Sequence, residues 1–194
     1  RICLVGSEMC IRDSADGVLF VRTEDTLFAL DAVKGSTPRW QTPSSYLWGT
    51  GPVVADGVVY FPINGRTVAA ASADTGELRW KVSLESSLHT STPWRIAGDL
   101  LLIRDDDGGV RALSRADGTQ RWLSRTDDMG SNGSGGFAVA GDAVYHTLPG
   151  QGAFGVTKLR CISLTDGTER WSAGKLTFSP CLLYTSDAAD EVLG

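Results

Sequence analysis

Short apolar runs separated by turn residues recur along the central part of the chain. In one clear stretch the β-prone runs are residues 52–55, 58–62, 67–72 and 78–82. Between them lie Asp56-Gly57, Asn64-Gly65 and a third turn that ends at Gly76. Asp-Gly and Asn-Gly pairs supply the positive φ angles of tight hairpin turns. The pattern therefore predicts four short antiparallel strands, and no stretch predicts a helix of useful length.

This four-strand unit is repeated. Each copy ends with a glycine followed a few residues later by a tryptophan, and the successive tryptophans are 40, 42 and 49 residues apart (80 − 40, 122 − 80 and 171 − 122). The pairs are Gly35 and Trp40, Gly76 and Trp80, Gly118 and Trp122, and Gly167 and Trp171. Repeats of this length are typical of propellers and solenoids, and four strands per repeat indicate a propeller blade.

The repeats predict an all-β fold that forms part of a β-propeller. We expect three whole four-stranded antiparallel blades, at about 50–83, 91–125 and 134–174. A leading blade is expected to lack its first strand, and a trailing blade is expected to be cut at Pro180. Because blades of this kind form rings of about seven or eight, the chain would be roughly half a ring.

The two ends do not fit the repeat. Residues 3–14 and 181–191 resemble a translated sequencing-library adapter. Codons that encode residues 9–13 give, on the opposite strand and in another frame, Cys-Leu-Leu-Tyr-Thr, which is the sequence of residues 181–185. We therefore expect residues 1–14 and 181–194 to be non-native and unpacked, and residues 15–180 to be the propeller domain.

The division of the chain into end segments and repeats changes the interpretation of the four cysteines. Cys3, Cys10 and Cys181 fall in the two end segments, so Cys161 is the only cysteine of the repeats. The sequence therefore predicts neither a disulfide framework nor a cysteine metal site.

The end of each repeat resembles the eleven-residue tryptophan-docking motif of PQQ-type, or quinoprotein-like, β-propeller repeats. Each motif begins with a small residue, has a glycine at its seventh position and ends in tryptophan, and the resemblance covers nearly all of 15–180. The motifs run from Ala70 to Trp80, from Ala112 to Trp122 and from Cys161 to Trp171, and, with one extra residue, from Ala29 to Trp40. The resemblance implies that each tryptophan stacks on a neighbouring blade near a motif glycine. Ser72, Ser114 and Ser163 replace the usual third-position Asp, which predicts a weaker turn hydrogen bond.

The same resemblance implies three classes of function. The first is a non-catalytic binding or scaffolding module, such as the sensor domain of a bacterial Ser/Thr kinase or an envelope assembly lipoprotein. The second is a fragment of a PQQ-dependent dehydrogenase, which would bind PQQ with Ca²⁺, and the third is a propeller module of another multidomain enzyme. The first class implies no cofactor, a protein or small-ligand partner besides the missing blades, and a location outside the cytoplasm.

Charge and candidate chemistry favour the non-catalytic class. The formal charge of −5 argues against nucleic-acid binding, and no apolar run is long enough to span a membrane. Asp105-Asp106-Asp107-Gly108-Gly109 is interpreted as an acidic hairpin turn, because it lacks the ligand spacing of a calcium loop. The Gly-rich stretch 131–136 lacks the Lys of a phosphate-binding loop, and 148–154 is predicted to be a longer hairpin loop.

The remaining candidates are isolated residues. His89 and His146 lie in different repeats and predict no metal site. Trp48, Trp94 and Tyr46 lie outside the docking positions, and we favour packing between blades over a role in ligand binding. The sequence therefore predicts no catalytic, cofactor-binding or metal-binding residue.

Overall fold

The structure is a computed structural model, and it describes residues 10–15, 17–35, 37–45, 51–89, 92–126, 136–148 and 157–176. These ranges contain sixteen β-strands. No helix occurs within these ranges. The strands form four sheets of four, and each sheet is an antiparallel meander in chain order. The predicted all-β fold with four-stranded blades is confirmed, and the sheets are called blades 1 to 4 below.

The strand bounds follow the turns predicted from the sequence. Blade 1 contains β1 (Cys10–Ala15), β2 (Val18–Arg22), β3 (Thr26–Asp31) and β4 (Pro38–Pro43). Blade 2 contains β5 (Val53–Ala55), β6 (Val58–Asn64), β7 (Thr67–Ser72) and β8 (Leu78–Ser83). Blade 3 contains β9 (Arg95–Ala97), β10 (Leu100–Arg104), β11 (Val110–Ser114) and β12 (Gln120–Ser124). Blade 4 contains β13 (Phe137–Ala140), β14 (Ala143–Leu148), β15 (Thr157–Ser163) and β16 (Glu169–Leu176).

The first strands of successive blades contact one another, β1 with β5, β5 with β9 and β9 with β13. The fourth strand of each blade is the one farthest in the sheet order from this contact line. First strands therefore lie toward the centre of the assembly and fourth strands lie at its outer edge, as in a propeller.

The turn between β5 and β6 illustrates the local chemistry. Asp56 has a φ of 50° and Gly57 a φ of 68°. Two successive positive φ angles are what the right-handed twist of a two-residue hairpin requires, and an Asp-Gly pair adopts them readily. The turn predicted from these two residues is confirmed.

Side chains of a central blade pack against both neighbours. On β6, Val58 and Tyr60 belong to a core shared with blade 3, whereas Val59 and Phe61 belong to a core shared with blade 1. Since alternate residues of a strand point to opposite faces, a continuous apolar run is needed where both faces are covered. All five residues of β10 are buried for the same reason.

The leading blade differs from the expectation. Residues 10–14 were expected to lie off the blades, but with Ala15 they form β1, which pairs with β2 from Cys10 opposite Arg22 to Ala15 opposite Val18. The expectation of a missing first strand is therefore wrong. An unpaired strand edge has a row of free N–H and C=O groups, and it accepts whatever extended segment adjoins it. That residues 1–14 and 181–194 are adapter-derived stays a prediction, and residues 1–9 and 177–194 lie outside the described part.

Candidate functional site

The junction between blades 2 and 3 is built around Trp80 of β8. Its indole Nε1 donates a hydrogen bond to the carbonyl oxygen of Arg115 at 2.9 Å, and its ring lies over Gly118. A Cβ added at Gly118 would lie 2.7 Å from Cε3 of the indole ring, closer than real Cβ contacts allow. Gly118 also has a φ of +75°, so both its backbone conformation and the stacked ring require glycine.

The same geometry occurs at the other two junctions. Trp40 donates to the carbonyl of Ala73 at 3.0 Å and lies over Gly76, and Trp122 donates to the carbonyl of Leu164 at 2.9 Å. Trp122 lies over Gly167, with the same 2.7 Å approach to an added Cβ. Each of these three tryptophans thus covers the motif turn of the following blade.

The small first residue of each motif lies directly across the sheet from the tryptophan of its own blade. Ala29 pairs with Trp40, Ala70 with Trp80, Ala112 with Trp122 and Cys161 with Trp171. Cross-strand neighbours on one face lie close together, so a small side chain here leaves space for the indole. Cys161 is a buried free thiol in that position.

The four tryptophans differ in exposure. Trp80 and Trp122 are 8% and 7% exposed, whereas Trp171 of blade 4 is 46% exposed. The structure thus brings the predicted motif residues of adjacent blades together at three junctions and leaves Trp171 without a following blade among the described residues. The contribution of these contacts to stability stays a prediction.

The motif turns also show what the serine replacements change. In blade 1, Asp31 Oδ1 accepts bonds of 3.0 Å from the amides of Val33 and Lys34. These bonds and the nearby Arg39 lower the pKa of Asp31 to about 2. In blade 2, Ser72 Oγ accepts a single bond of 3.3 Å from the amide of Thr75. The serine therefore makes the weaker side-chain bond that the sequence predicted, while the backbone turn is retained, with Gly76 N 2.9 Å from Ser72 O.

Arg115 adds a polar contact to the junction of blades 2 and 3 that sequence reasoning missed. Its Nη2 lies 2.6 Å from Asp56 Oδ2, its Nε donates to the hydroxyl of Tyr60 at 3.1 Å, and its Nη1 donates to the carbonyl of Gly98 at 2.7 Å. Asp56 and Tyr60 belong to blade 2, so this arginine joins two blades. The sequence did not predict this ion pair because 59 residues separate Arg115 from Asp56.

A buried ion pair lies at the hairpin between β10 and β11. Arg111 Nη2 is 2.6 Å from Asp105 Oδ2, and the side chains of Arg111 and Asp105 are 2% and 0% exposed. Ser86, from the segment between blades 2 and 3, donates to Asp105 Oδ2 at 2.5 Å, and Arg111 also bonds Gln120. The stretch from Asp105 to Gly109 does form the predicted turn. The carboxylate of Asp105, however, forms a buried ion pair with Arg111 and is not exposed to solvent as in an ordinary surface turn.

A second buried polar group lies where blades 3 and 4 meet. Arg160 of β15 bonds Glu169 at 2.6 Å and reaches Ser124 Oγ of blade 3 at 3.0 Å. His146 of β14 pairs in register with Arg160, is fully buried, and has no hydrogen-bond partner for either ring nitrogen among the described residues. The pKa of His146 is lowered to about 3, mainly by burial and in smaller part by the charges of Arg104 and Arg160.

The two histidines are closer than their sequence separation suggested. His89 acts electrostatically on His146, and its own pKa is lowered to about 4 by burial and by Arg104, against an opposing effect of Asp106. His89 Nδ1 lies 3.0 Å from Thr92 Oγ1. No group of three metal-ligating side chains occurs in the described ranges.

These pKa values predict that low pH destabilises the fold. Above the unfolded pKa of 6.5 both states hold a neutral imidazole, and between about 6.5 and 3 the unfolded chain binds the proton that the buried His146 does not. Stability should therefore fall as pH falls through this window, with a slope that approaches about 1.4 kcal/mol per pH unit for one histidine. Denaturant unfolding between pH 8 and pH 5 measures it.

His146→Ile is the matched variant, because Ile103 occupies the equivalent position of blade 3 and is fully buried. The variant should be as stable as the wild type or more stable at pH 5 and should show a shallower pH dependence. Identical slopes for both proteins would contradict a buried, neutral His146.

The other candidates are placed only in part. Trp94 is 2% exposed and lies in the core shared by blades 2 and 3, in line with the packing interpretation. Trp48 and Tyr46, and most of 131–136 and 148–154, lie outside the described residues. The described part of the chain contains no helix that is long and apolar enough to cross a membrane.

Comparisons with known proteins agree on the fold. The family model described as "Outer membrane protein assembly factor BamB" matches residues 37–177. No curated protein matches the chain. Among solved structures, BamB from Moraxella catarrhalis superposes with a TM-score of 0.65 at 20% identity, over 81% of this chain and 46% of that one.

Two enzymes are also similar in fold. A quinohemoprotein alcohol dehydrogenase from Pseudomonas putida matches with a TM-score of 0.64 at 16% identity, over 82% of this chain and 33% of that one. A europium-containing methanol dehydrogenase matches with a TM-score of 0.62 at 16% identity, over 81% and 40%. The chain spans less than half the length of each of these three structures.

Proposed function

Because the chain belongs to the β-propeller family described by the outer membrane protein assembly factor BamB, we propose that residues 15–180 form a non-catalytic binding or scaffolding module. The family match over 37–177 is the observation that carries the proposal. Within the family's range of roles, the description of the matching model favours an envelope assembly factor with a protein partner over a kinase sensor domain. It also favours a location outside the cytoplasm.

The use of charge in the fold supports this proposal. Three of the buried or half-buried arginines of blades 3 and 4 join structural elements: Arg111 with Asp105, Arg115 with Asp56, and Arg160 with Glu169. Groups committed to ion pairs within and between blades stabilise a rigid framework. A rigid framework that presents loops and edges is what a scaffold requires.

The quinoprotein alternative is kept as a second hypothesis with less support. The enzymes that match do so at 16% identity, which shows a common fold alone. PQQ with Ca²⁺ needs several oxygen ligands that converge on one point. In the described residues the buried Asp105 is held by Arg111 and Ser86.

The proposal predicts that the purified chain neither binds PQQ with Ca²⁺ nor oxidises an alcohol. Titration with PQQ in the presence of Ca²⁺, followed by quinone absorbance and Trp fluorescence, tests the binding, and a parallel titration with Mg²⁺ is the control. Saturable micromolar binding of PQQ that a chelator of Ca²⁺ abolishes would contradict the hypothesis of a non-catalytic module.

A second arm tests the scaffold directly. The immobilised chain should retain one or a few proteins from a solubilised envelope fraction, and free chain should compete for them in a saturable way. The cytosolic fraction serves as the control. Retention that free chain does not compete, or that is equal from both fractions, contradicts a specific envelope partner.

A further inference from the structure

Buried polar atoms without a partner lie close together at the junction of blades 3 and 4. His146 is 0% exposed, and neither of its ring nitrogens has a hydrogen-bond partner among the described residues. Arg160 is 2% exposed, and its Nη1 also has no partner in that part of the chain. Buried polar groups in folded proteins are almost always hydrogen-bonded. These atoms therefore mark a place where the fold offers donors that its described residues do not use.

The two side chains share one face of blade 4. His146 of β14 lies directly opposite Arg160 of β15 in the sheet register, so both project from the same face. That face is turned toward blade 3, because Arg160 Nη2 donates to Ser124 Oγ at 3.0 Å. Blade 3 contributes Arg104, which is 2% exposed and acts electrostatically on His146. The unused donors thus lie between two blades and not on the surface.

The junction of blades 2 and 3 shows how the fold satisfies the equivalent arginine. Arg111 and Arg160 occupy the same register position on the third strands of their blades. Arg111 Nε and Nη2 bond the two oxygens of the Asp105 carboxylate, at 3.2 and 2.6 Å. Its Nη1 donates to Gln120, so all three side-chain nitrogens are used. A buried carboxylate is therefore the partner of this arginine where the chain supplies one itself.

Blade 4 lacks that carboxylate. Leu148 occupies the position that Asp105 has in blade 3, two residues beyond the register partner of the arginine. Arg160 instead donates from Nε to Glu169 at 2.6 Å. The side chain of Glu169 is 35% exposed, so this carboxylate lies toward solvent and does not fill the buried side of the junction. The Nη1 of Arg160 is the donor that the replacement leaves unused.

The charges around His146 favour an anion. Besides burial, the groups that lower the pKa of His146 are Arg104, Arg160 and His89, and none of these three is an acid. The carboxylate of Asp106 acts on His89 and Arg104. Positive charge thus faces His146 from both blades, and an anion placed beside the imidazole would be attracted by both arginines.

We propose that a small carboxylate anion, of the size of formate or acetate, binds at this junction and accepts hydrogen bonds from Arg160 Nη1 and from a ring nitrogen of His146. A carboxylate suits the position because two oxygens in one plane match guanidinium donors, as in the pair of Asp105 and Arg111. A neutral imidazole has one N–H to donate. The ligand is a free anion and not a side chain of a partner protein, since both donors are buried between blades. The proposal does not depend on the scaffolding function, because it rests on this junction alone.

Nuclear magnetic resonance of the purified chain, titrated with sodium formate at constant ionic strength, tests the proposal. We expect saturable shifts of the His146 imidazole and of the amides of β14 and β15, with a dissociation constant in the millimolar range or below. Sodium chloride and sodium sulfate are the control titrations, and neither should give these shifts. His146→Ile should weaken formate binding by about tenfold or more, as expected for the loss of a hydrogen bond to a charged group.

Two further variants complete the test. Arg160→Gln should abolish formate binding, and His146→Ile keeps the test valid if Arg160→Gln does not fold, because it places the residue of blade 3 at the same position. Arg170→Gln is the matched control, an arginine of the same blade that pairs with Asp142 at the surface, and this variant should bind formate as the wild type does. A wild type without saturable shifts, equal binding of chloride or sulfate, or unchanged formate binding by His146→Ile would each overturn the proposal.

Discussion

Replacing Trp80 with Ala should cost about 3–5 kcal/mol of folding stability, as for other buried aromatic residues. Trp80 is 8% exposed, its ring covers Gly118, and its Nε1 bonds the carbonyl of Arg115. Truncation would open a cavity between blades 2 and 3 and would remove the bond to that carbonyl. Trp122→Ala should have an effect of the same size, because Trp122 makes the same contacts with Gly167 and Leu164.

Trp171→Ala is the internal control for this experiment. Trp171 has the same motif position but is 46% exposed, so its loss should cost less than about 1 kcal/mol. Denaturant unfolding followed by far-UV circular dichroism measures all three variants. A change below about 1 kcal/mol for Trp80→Ala or Trp122→Ala would remove the docking interpretation.

The strands could be predicted from the sequence because the turns are chemically explicit. In blade 2 the apolar runs and the pairs Asp56-Gly57 and Asn64-Gly65 gave the strand bounds to within two residues. The register of each third and fourth strand also follows from the motif, since the small residue at its start lies opposite the tryptophan at its end. Local turn chemistry and a repeated motif are short-range signals, and one sequence is sufficient to show them.

Interactions between blades could not be predicted in the same way. Arg115 and Asp56 are 59 residues apart, and nothing in either repeat marks them as partners. Arg111 and Arg160 occupy equivalent positions on β11 and β15, with Gln120 and Glu169 as their partners on the next strand. This recurrence was a signal that could have been used. The burial of His146 also had a signal, because the equivalent positions of the other blades hold the apolar Val21, Phe61 and Ile103.

The adapter-like end shows a different limit. Residues 10–14 were set aside because they do not fit the repeat, yet their backbone pairs with β2. Strand pairing uses backbone groups, which every residue except proline provides in full, so a segment does not need the repeat's sequence to occupy an open edge. A sequence pattern therefore identifies which segments were selected together, but it does not exclude others from the sheet.

Loss of the Asp105 carboxylate should be as damaging as loss of a docking tryptophan. Asp105 is fully buried and accepts bonds from Arg111 at 2.6 and 3.2 Å and from Ser86 at 2.5 Å. Asp105→Ala would leave the guanidinium of Arg111, itself 2% exposed, without its counter-charge. Breaking a buried pair in this way costs about 3–5 kcal/mol, mainly because the remaining charge is not solvated.

Two further variants separate this effect from a general sensitivity of the hairpin. Asp106→Ala changes the neighbouring exposed carboxylate and should alter stability by no more than about 0.5 kcal/mol. The double variant Asp105→Leu with Arg111→Met replaces both charges with apolar side chains and should recover most of the loss, since no buried charge remains. Urea unfolding of the wild type and the three variants measures these differences in stability. If Asp105→Ala costs less than about 1 kcal/mol, or if the double variant is as unstable as the single one, the ion pair does not hold this hairpin in place.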